Sequence, residues 1–343
     1  VGQSDSGPCV WVWDVDGPIS IGTSYQSEFA SGRWVDQGVV WSELLWDVNR
    51  TEHGLVAPSA RGLAGSADGR EWTLRSIEDM GNAQSSWVNS LPSGEPPYYM
   101  ALRSEPERWW VVRSEDGESW RFAWDEGESG TWGVIAAGSA GALMTVERPP
   151  EGRSMLFSPD GETWEPVFSP SDGFPGGIFA FRDEFFVAIG SEWDNAAGSL
   201  WKYTPPGDWV EIAEVGHIDA FGLESFVFES EFYLFQRWGQ DRALRVTADG
   251  VAWREVDLPD IVVGADVSIE PTAAGLLLTE VVWDELHSWP ARIWMLPPTG
   301  QWIELPPISA AGVGILPIPG SDTPALISNE GFGQARLWEW VEG

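Results

Sequence analysis

The sequence has few basic side chains, and lysine is almost absent. Its 343 residues contain 19 Lys and Arg against 53 Asp and Glu, and Lys202 is the only lysine. The resulting net charge of −34 argues against nucleic acid as a partner, because phosphate binding needs clustered Lys and Arg. It argues equally against anionic membrane surfaces. An acidic surface of this kind is otherwise typical of a protein that stays soluble in salt.

Cysteine and histidine are also scarce. The single cysteine, Cys9, has no partner for an internal disulfide, and His53, His217 and His287 are scattered. No CxxC motif or His/Cys cluster is present, so we predict neither a metal nor a cofactor. No apolar run reaches the 18 or more residues of a membrane-spanning helix, so we predict no membrane insertion.

The chain opens with small and polar residues and without Met, as VGQSDSGP over residues 1–8. This opening resembles the start of a processed protein. We therefore expect an exported protein, extracellular or displayed at the cell surface, whose signal or anchor was removed. A cytoplasmic protein cut for expression is the alternative. We expect residues 1–9 to be flexible and residues 10–343 to form one domain.

A short turn motif is repeated four times along the chain. The copies are SADGREW at 66–72, SEDGESW at 114–120, SPDGETW at 158–164 and TADGVAW at 247–253, and we call them the SxDG turns. Each predicts a hairpin turn that feeds a strand. The hydroxyl and carboxylate can bond the turn's own backbone, Gly supplies a positive φ, and Trp enters the strand as its first large buried side chain.

This motif resembles the Asp-box, or BNR repeat, of sialidase-like β-propellers, sortilin-type receptors and photosystem assembly factors. The resemblance implies that each box lies between the third and fourth strands of a blade, on the face opposite the ligand site. The structural Asp-box residues would be Asp68, Trp72, Asp116, Trp120, Asp160, Trp164, Asp249 and Trp253. Because the family contains enzymes, receptors and scaffolds, the motif predicts a fold more strongly than a function.

Tryptophans at the start of the predicted fourth strands recur about every 45 residues. They are Trp72, Trp120, Trp164, Trp209, Trp253 and Trp302, at intervals of 48, 44, 45, 44 and 49 residues. The turns before Trp209 and Trp302 keep a Gly but lose the Asp-Gly pair. A period of this size is typical of propeller blades of four short strands. The sequence therefore predicts an all-β chain with at least six blades.

The end of the chain decides the blade count. After Trp302 come three strand-like segments, 315–318, 325–328 and 336–341, without a fourth. A spare strand-like segment, 10–15, precedes the first repeat. We predict that it pairs with 336–341 and closes a seventh blade, which leaves no open sheet edge at the joint. Six blades is the alternative, if the segment before residue 54 is an appendage.

In a propeller the loops between second and third strands contribute to the ligand face. Three loop tryptophans, Trp193, Trp238 and Trp283, follow one another at intervals of 45 residues and should occupy equivalent places on consecutive blades. We predict a ligand rim on which sugar rings or partner side chains stack. Its residues are Trp193, Asp194, Arg237, Trp238, Trp283, Asp284 and His287. The alternative is that these tryptophans cap the interfaces between blades.

We therefore predict a noncatalytic, monomeric protein that binds a protein or a carbohydrate through this rim. A sialidase-like glycoside hydrolase or lyase is one alternative, and an assembly scaffold is another. Sialidases use three arginines, a Tyr activated by a Glu, and an Asp acid/base, and an early Arg-Ile-Pro string marks them. That string is absent here, so no family catalytic residue is carried over. Glu192, Asp194, Asp284 and Glu285 remain candidates for a carboxylate pair in a different hydrolase.

Overall fold

The fold consists of seven antiparallel sheets. In the computed structural model, the described residues are 32–42, 45, 48–59, 62–75, 77–78, 87–89, 96–104, 108–127, 134–148, 152–168, 170, 173–190, 198–212, 218, 222–237, 242–262, 264–282, 291–298, 300–310, 313–318, 321, 323–330 and 334–341. These residues form strands, turns and loops but no helix. Accordingly, no helix among them is long and apolar enough to cross a membrane.

Each sheet is a blade whose first strand lies nearest the central axis. The strands of blade 1 are Asn49–Thr51, Gly54–Ser59, Gly62–Ser66 and Thr73–Leu74. Those of blade 2 are Trp87–Asn89, Tyr98–Ser104, Arg108–Ser114 and Trp120–Gly127. Those of blade 3 are Ile135–Gly138, Gly141–Arg148, Gly152–Ser158 and Glu165–Val167. A short fifth strand, Ile77–Glu78, pairs in parallel with the outer strand of blade 2.

The remaining blades follow the same order. The strands of blade 4 are Phe174–Phe181, Glu184–Gly190, Ser199–Thr204 and Asp208–Glu211. Those of blade 5 are Leu223–Phe228, Glu231–Gln236, Ala243–Thr247 and Arg254–Val256. Those of blade 6 are Asp266–Thr272, Gly275–Val281, Ala291–Leu296 and Ile303–Ile308. Those of blade 7 are Val313–Ile315, Ala325–Glu330, Gln334–Val341 and Arg33–Trp41. The chain is a seven-bladed β-propeller, which confirms the predicted blade count, and the six-bladed alternative is wrong.

The core lies between blades, because both faces of each blade are apolar. In the second strand of blade 5, Phe232 and Leu234 belong to a cluster shared with blade 4, whereas Tyr233 and Phe235 belong to one shared with blade 6. The period-2 alternation of a strand thus delivers successive side chains to the two neighbouring seams. A strand that is buried on both faces therefore needs a nearly continuous run of apolar residues.

The ring is closed by an N-terminal strand, but not by the predicted one. Residues 334–341 pair with Ala325–Glu330 on one edge and with Arg33–Trp41 on the other, so neither edge remains for residues 10–15. Those residues lie outside the described part of the chain. Two β-bulges interrupt Arg33–Trp41, one between Asp36 and Gly38. A bulge shifts the alternation of apolar residues, which is why this segment gives a weak strand signal.

Two tryptophans pack across the closing pair of strands, and this contact generates a prediction. Trp34 and Trp340 are 4% and 2% exposed, and their rings meet edge to face at 5.2 Å between centroids. We expect Trp34→Ala to lower the free energy of unfolding by about 3–5 kcal/mol, as core truncations of Trp do. Val39→Ala, at a 45% exposed position of the same strand, should stay within about 0.5 kcal/mol of the wild type. Guanidinium unfolding of both variants measures this, and equal midpoints would contradict the closure.

Candidate functional site

The four SxDG turns share one hydrogen-bond pattern. In the second turn, the N–H of Gly117 donates to Ser114 Oγ at 2.7 Å, and the Ser114 hydroxyl donates to Asp116 Oδ1 at 3.0 Å. The same carboxylate oxygen accepts the N–H groups of Glu118 and Ser119 at 2.8 and 2.7 Å. Corresponding bonds centre on Ser66 and Asp68, Ser158 and Asp160, and Thr247 and Asp249. The polar side chains of each turn therefore bond its own backbone.

Each SxDG turn packs against the blade that precedes it in the ring. Trp120 is 1% exposed and packs in a cluster with Val56 and Leu63 of blade 1. The other three tryptophans do the same: Trp72 with Leu316 and Ile327 of blade 7, Trp164 with Tyr99 and Val111 of blade 2, and Trp253 with Phe186 of blade 4. Gly117 has a φ of 75°, and a Cβ there would lie 2.6 Å from Thr51. The turn therefore needs Gly both for its conformation and for close approach.

Arginines of the preceding blade form hydrogen bonds and an ion pair with residues of the SxDG turns. Arg113 of blade 2 donates to the backbone oxygen of Asp160, and Arg121 lies 3.4 Å from a carboxylate oxygen of Glu162. In the same way, Arg182 of blade 4 donates to the backbone oxygen of Ala248 at 2.6 Å. The face that carries the SxDG turns is thus used for joining blades.

The Asp carboxylates of these turns are held in the charged form. Hydrogen bonds from the backbone N–H groups of Ser119 and Glu118 lower the pKa of Asp116 from 3.8 to about 2. Backbone N–H bonds likewise lower the pKa values of Asp68, Asp160 and Asp249. Hydrogen bonding to the ionised form is the physical cause in all four turns.

This lowered pKa predicts a pH dependence of stability. The contribution of Asp116 is present above pH 3.8, its ordinary pKa, and is lost as the pH falls towards 2, its pKa in the folded protein. In Asp116→Asn the amide oxygen still accepts the two N–H bonds but no longer titrates. We expect this variant to lose less stability than the wild type between pH 4 and pH 2. The difference should be below about 1 kcal/mol, because the carboxylate is largely solvated.

Urea unfolding of the two proteins at several pH values measures the difference. Asp208→Asn, at an exposed carboxylate beside another turn on the same face, is the matched control and should follow the wild type. Parallel curves for the wild type and Asp116→Asn would show that the turn does not depend on the charged carboxylate.

Only one residue of the predicted ligand rim lies in the described part of the chain. Arg237 follows the second strand of blade 5, and strand directions place this end on the face opposite the SxDG turns. The other six predicted residues, Trp193, Asp194, Trp238, Trp283, Asp284 and His287, lie outside the described residues. Their role as a rim stays a prediction.

Arg237 joins the first strands of blades 5 and 6. Its Nη1 donates to Glu224 Oε1 at 2.7 Å, its Nε donates to Asp266 Oδ1 at 3.0 Å, and its Nη2 also bonds Asp266. Burial disfavours the charge of Arg237, but the attraction of the two carboxylates outweighs burial and raises its pKa. We call these three residues the Arg237 clasp. Sequence reasoning found the arginine but neither partner, which lie 13 and 29 residues away.

Arg242 joins the end of the second strand of blade 5 to the connection between blades 5 and 6. Its Nε donates to the backbone oxygen of Arg237 at 2.9 Å and its Nη1 to that of Val262 at 2.9 Å, while Nη2 bonds the backbone oxygen of Ala265. The residues on both sides of 238–241 are therefore joined to each other and to the connection between blades 5 and 6.

A buried carboxylate beside this connection pairs with a partly exposed arginine. The side chain of Glu280 is 0% exposed, and it accepts the N–H of Val262 at 2.5 Å and lies 3.2 Å from Arg292 Nη1. Burial raises the pKa of Glu280. Sequence reasoning missed this pair, although a single Glu within the apolar strand 275–281 was a usable signal. A buried strand position rarely holds a carboxylate unless it is paired.

The described tyrosines lie at the strand ends nearest the SxDG turns. Tyr98 and Tyr99 begin the second strand of blade 2, Tyr233 lies near the start of that of blade 5, and Tyr203 lies near the end of the third strand of blade 4. Burial raises the pKa values of Tyr99, Tyr203 and Tyr233, which disfavours the phenolate. The described residues also include no group of three or more His, Cys, Asp or Glu side chains arranged to hold a metal.

Several solved structures align with most of this chain. A prolyl endopeptidase is 12% identical with a TM-score of 0.54 over 93% of the chain, and an ancestral GH74 enzyme is 14% identical with a TM-score of 0.51 over 91%. The SapL1 lectin, solved with alpha methyl fucoside, is 11% identical with a TM-score of 0.48 over 78% of this chain and 97% of the lectin.

These likenesses concern the fold. The chain spans about half the length of the prolyl endopeptidase and the GH74 enzyme, 52% and 51% respectively. No protein-family model and no curated protein matches it. At 12 and 14% identity, the likeness to the first two structures shows a shared fold.

Proposed function

We propose that the chain is a noncatalytic, exported or surface-displayed protein that binds a protein or a glycan through the face opposite the SxDG turns. The observation that carries the proposal is that the face with the SxDG turns is already used to join blades. All four SxDG turns bond their own backbone and pack on the preceding blade, as shown for Ser114, Asp116 and Trp120. The opposite face carries Arg237, the one described residue of the predicted ligand rim.

The same proposal assigns the SxDG turns as Asp-boxes. Their sequence supports this, and so does their geometry: a Ser or Thr hydroxyl that accepts the Gly N–H, an Asp that accepts the next two N–H groups, and a Gly with a φ of 75–79°. On this assignment the chain joins the sialidase-like, sortilin-like and photosystem-factor-like propellers. Its ligand face is then the one that carries Arg237.

A sialidase-like hydrolase is the less favoured function. Such an enzyme needs arginines that are available to a substrate carboxylate, but Arg237, Arg242 and Arg292 are bound to carboxylates or backbone oxygens of the protein. The described tyrosines lie towards the face with the SxDG turns. A nucleophile there would not meet a ligand on the rim. No described feature specifically favours an assembly scaffold.

Binding to a glycan array tests the proposal. The probe is the intact protein beside a variant with Trp193→Ala, Trp238→Ala and Trp283→Ala. We expect the variant to bind at least tenfold more weakly, because each aromatic stacking contact contributes on the order of 1 kcal/mol. A control variant, Phe122→Ala, Phe168→Ala and Val210→Ala, removes exposed apolar side chains in or directly after the fourth strands of blades 2, 3 and 4 and should bind like the wild type.

One result would contradict the proposed rim, and another would narrow the proposed ligand. Undiminished binding by the tryptophan variant, with an unchanged melting temperature, would show that the rim is not the ligand site. A lack of binding by the intact protein would remove the glycan and leave a protein ligand as the remaining part of the proposal. Protease accessibility on intact cells tests the exported location, and light scattering tests the monomer.

A further inference from the structure

Each SxDG turn contains an Asp–Gly bond. The four bonds are Asp68–Gly69, Asp116–Gly117, Asp160–Gly161 and Asp249–Gly250. Asp–Gly bonds are prone to rearrange into isoaspartate, because Gly has no Cβ to hinder an attack by its own nitrogen on the Asp carboxyl group. The hydrogen bonds of the turn engage both of the groups that take part in this reaction.

The rearrangement starts at the amide nitrogen of the Gly. This nitrogen attacks Cγ of the protonated Asp carboxyl group, a C–N bond forms, and the C–O bond to the carboxyl hydroxyl breaks. That oxygen leaves as water, with one proton from the amide and one from the carboxyl group, and a five-membered succinimide remains. Water then opens the ring to give aspartate or isoaspartate. The reaction therefore needs a Gly nitrogen that can lose its proton and a carboxyl group that is protonated.

The SxDG turn engages the Gly nitrogen. In all four turns the Gly N–H donates to the hydroxyl oxygen of the Ser or Thr three residues earlier, at 2.9 Å from Gly69 and Gly250 and at 2.7 Å from Gly117 and Gly161. The residues that carry these hydroxyls are all buried: Ser66, Ser114, Ser158 and Thr247. An amide that is hydrogen-bonded in a folded protein gives up its proton when the local structure opens. The nitrogen is thus available only in an opened turn.

The same turn keeps the Asp carboxyl group ionised. Its Oδ1 accepts the N–H groups of the two residues after the Gly, as Asp160 does from Glu162 and Thr163 at 2.9 and 2.8 Å. The hydroxyl of Ser158 donates to the same oxygen at 3.1 Å. Such bonds lower the pKa of the Asp in all four turns, and that of Asp116 from 3.8 to about 2. At neutral pH the protonated fraction falls about tenfold for each unit by which the pKa is lowered.

We propose that the SxDG turn protects its own Asp–Gly bond, so that the four aspartates are latent sites of isoaspartate formation that react only when a turn opens. The Ser or Thr hydroxyl is central, since it bonds both the Gly nitrogen and the Asp carboxylate. Isoaspartate adds a methylene to the backbone and shortens the side chain, so its carboxylate no longer matches the two N–H groups. A turn that reacts while open cannot close again on the preceding blade. This protection is independent of the proposed ligand.

Peptide mapping by mass spectrometry measures the isoaspartate at each site. The intact protein is stored at neutral pH, well below its melting temperature. The reference is a synthetic peptide of residues 113–121, RSEDGESWR, which contains the Asp116–Gly117 bond without the fold. We expect conversion at all four SxDG turns to be at least about tenfold slower than in the peptide, from the lowered pKa of the carboxyl group alone. Conversion in the folded protein as fast as in the peptide would overturn the protection.

Ser114→Ala links the protection to the hydroxyl. The substitution removes the acceptor of the Gly117 N–H and a donor to Asp116. We expect conversion at Asp116 to become about fivefold faster, because the loss of one buried hydrogen bond raises the open fraction of the turn by roughly that factor. The other three turns of the same molecule are internal controls and should be unchanged. An unchanged rate at Asp116, or an equal rise at all four turns, would overturn the role of the hydroxyl.

Asp116→Asn tests the Gly nitrogen separately from the carboxyl charge. The amide side chain reacts by the same attack, but it releases ammonia and needs no protonated carboxyl group. We expect deamidation at position 116 to be slower in the folded variant than in the peptide with the same substitution, because the Gly117 N–H is still bonded to Ser114. Equal rates would overturn the part assigned to the Gly nitrogen. Melting temperatures well above the storage temperature establish that both variants are folded.

Discussion

The propeller depends on the SxDG turn, whose polar side chains bond the turn's own backbone and whose Trp packs on the neighbouring blade. Because the Gly117 N–H bonds the Ser114 hydroxyl and the carboxylate of Asp116 accepts the next two N–H groups, few polar groups of the turn need partners elsewhere. Such a turn can bury its Trp against another blade without leaving backbone groups unsatisfied. Ser114 itself is 1% exposed.

The seams that lack an SxDG turn are held by other contacts. SxDG turns join blades 7 and 1, 1 and 2, 2 and 3, and 4 and 5. Between blades 3 and 4, Phe157 meets Phe185 at 6.0 Å between ring centroids. Between blades 6 and 7, Leu277 and Ile293 pack with Trp338 and Leu326. Between blades 5 and 6, an apolar cluster is supplemented by the Arg237 clasp on the opposite face. At this one seam, ionic contacts on the face opposite the SxDG turns accompany the lack of such a turn.

The sequence predicts the repeated part of this fold well, because each blade carries its own local signals. In blades 4 and 5, for example, the second strands contain Phe185–Ile189 and Phe232–Phe235, short apolar runs between turns that are a strong local strand signal. The closing strand was misplaced, because bulges in Arg33–Trp41 break its alternation. The partners of Arg237 were missed for a different reason. Glu224 and Asp266 are two acids among 53, and only the ring geometry brings them to one guanidinium.

The central claim is that the SxDG turns join blades and that the proposed ligand site lies on the opposite face. The most direct test measures both properties on one variant, Ser114→Ala, which removes the acceptor of the Gly117 N–H. The account predicts a loss of about 1–3 kcal/mol in the free energy of unfolding, as for a buried N–H left without a partner, and an unchanged dissociation constant for the ligand. A variant with the stability of the wild type but without ligand binding would reverse the two faces.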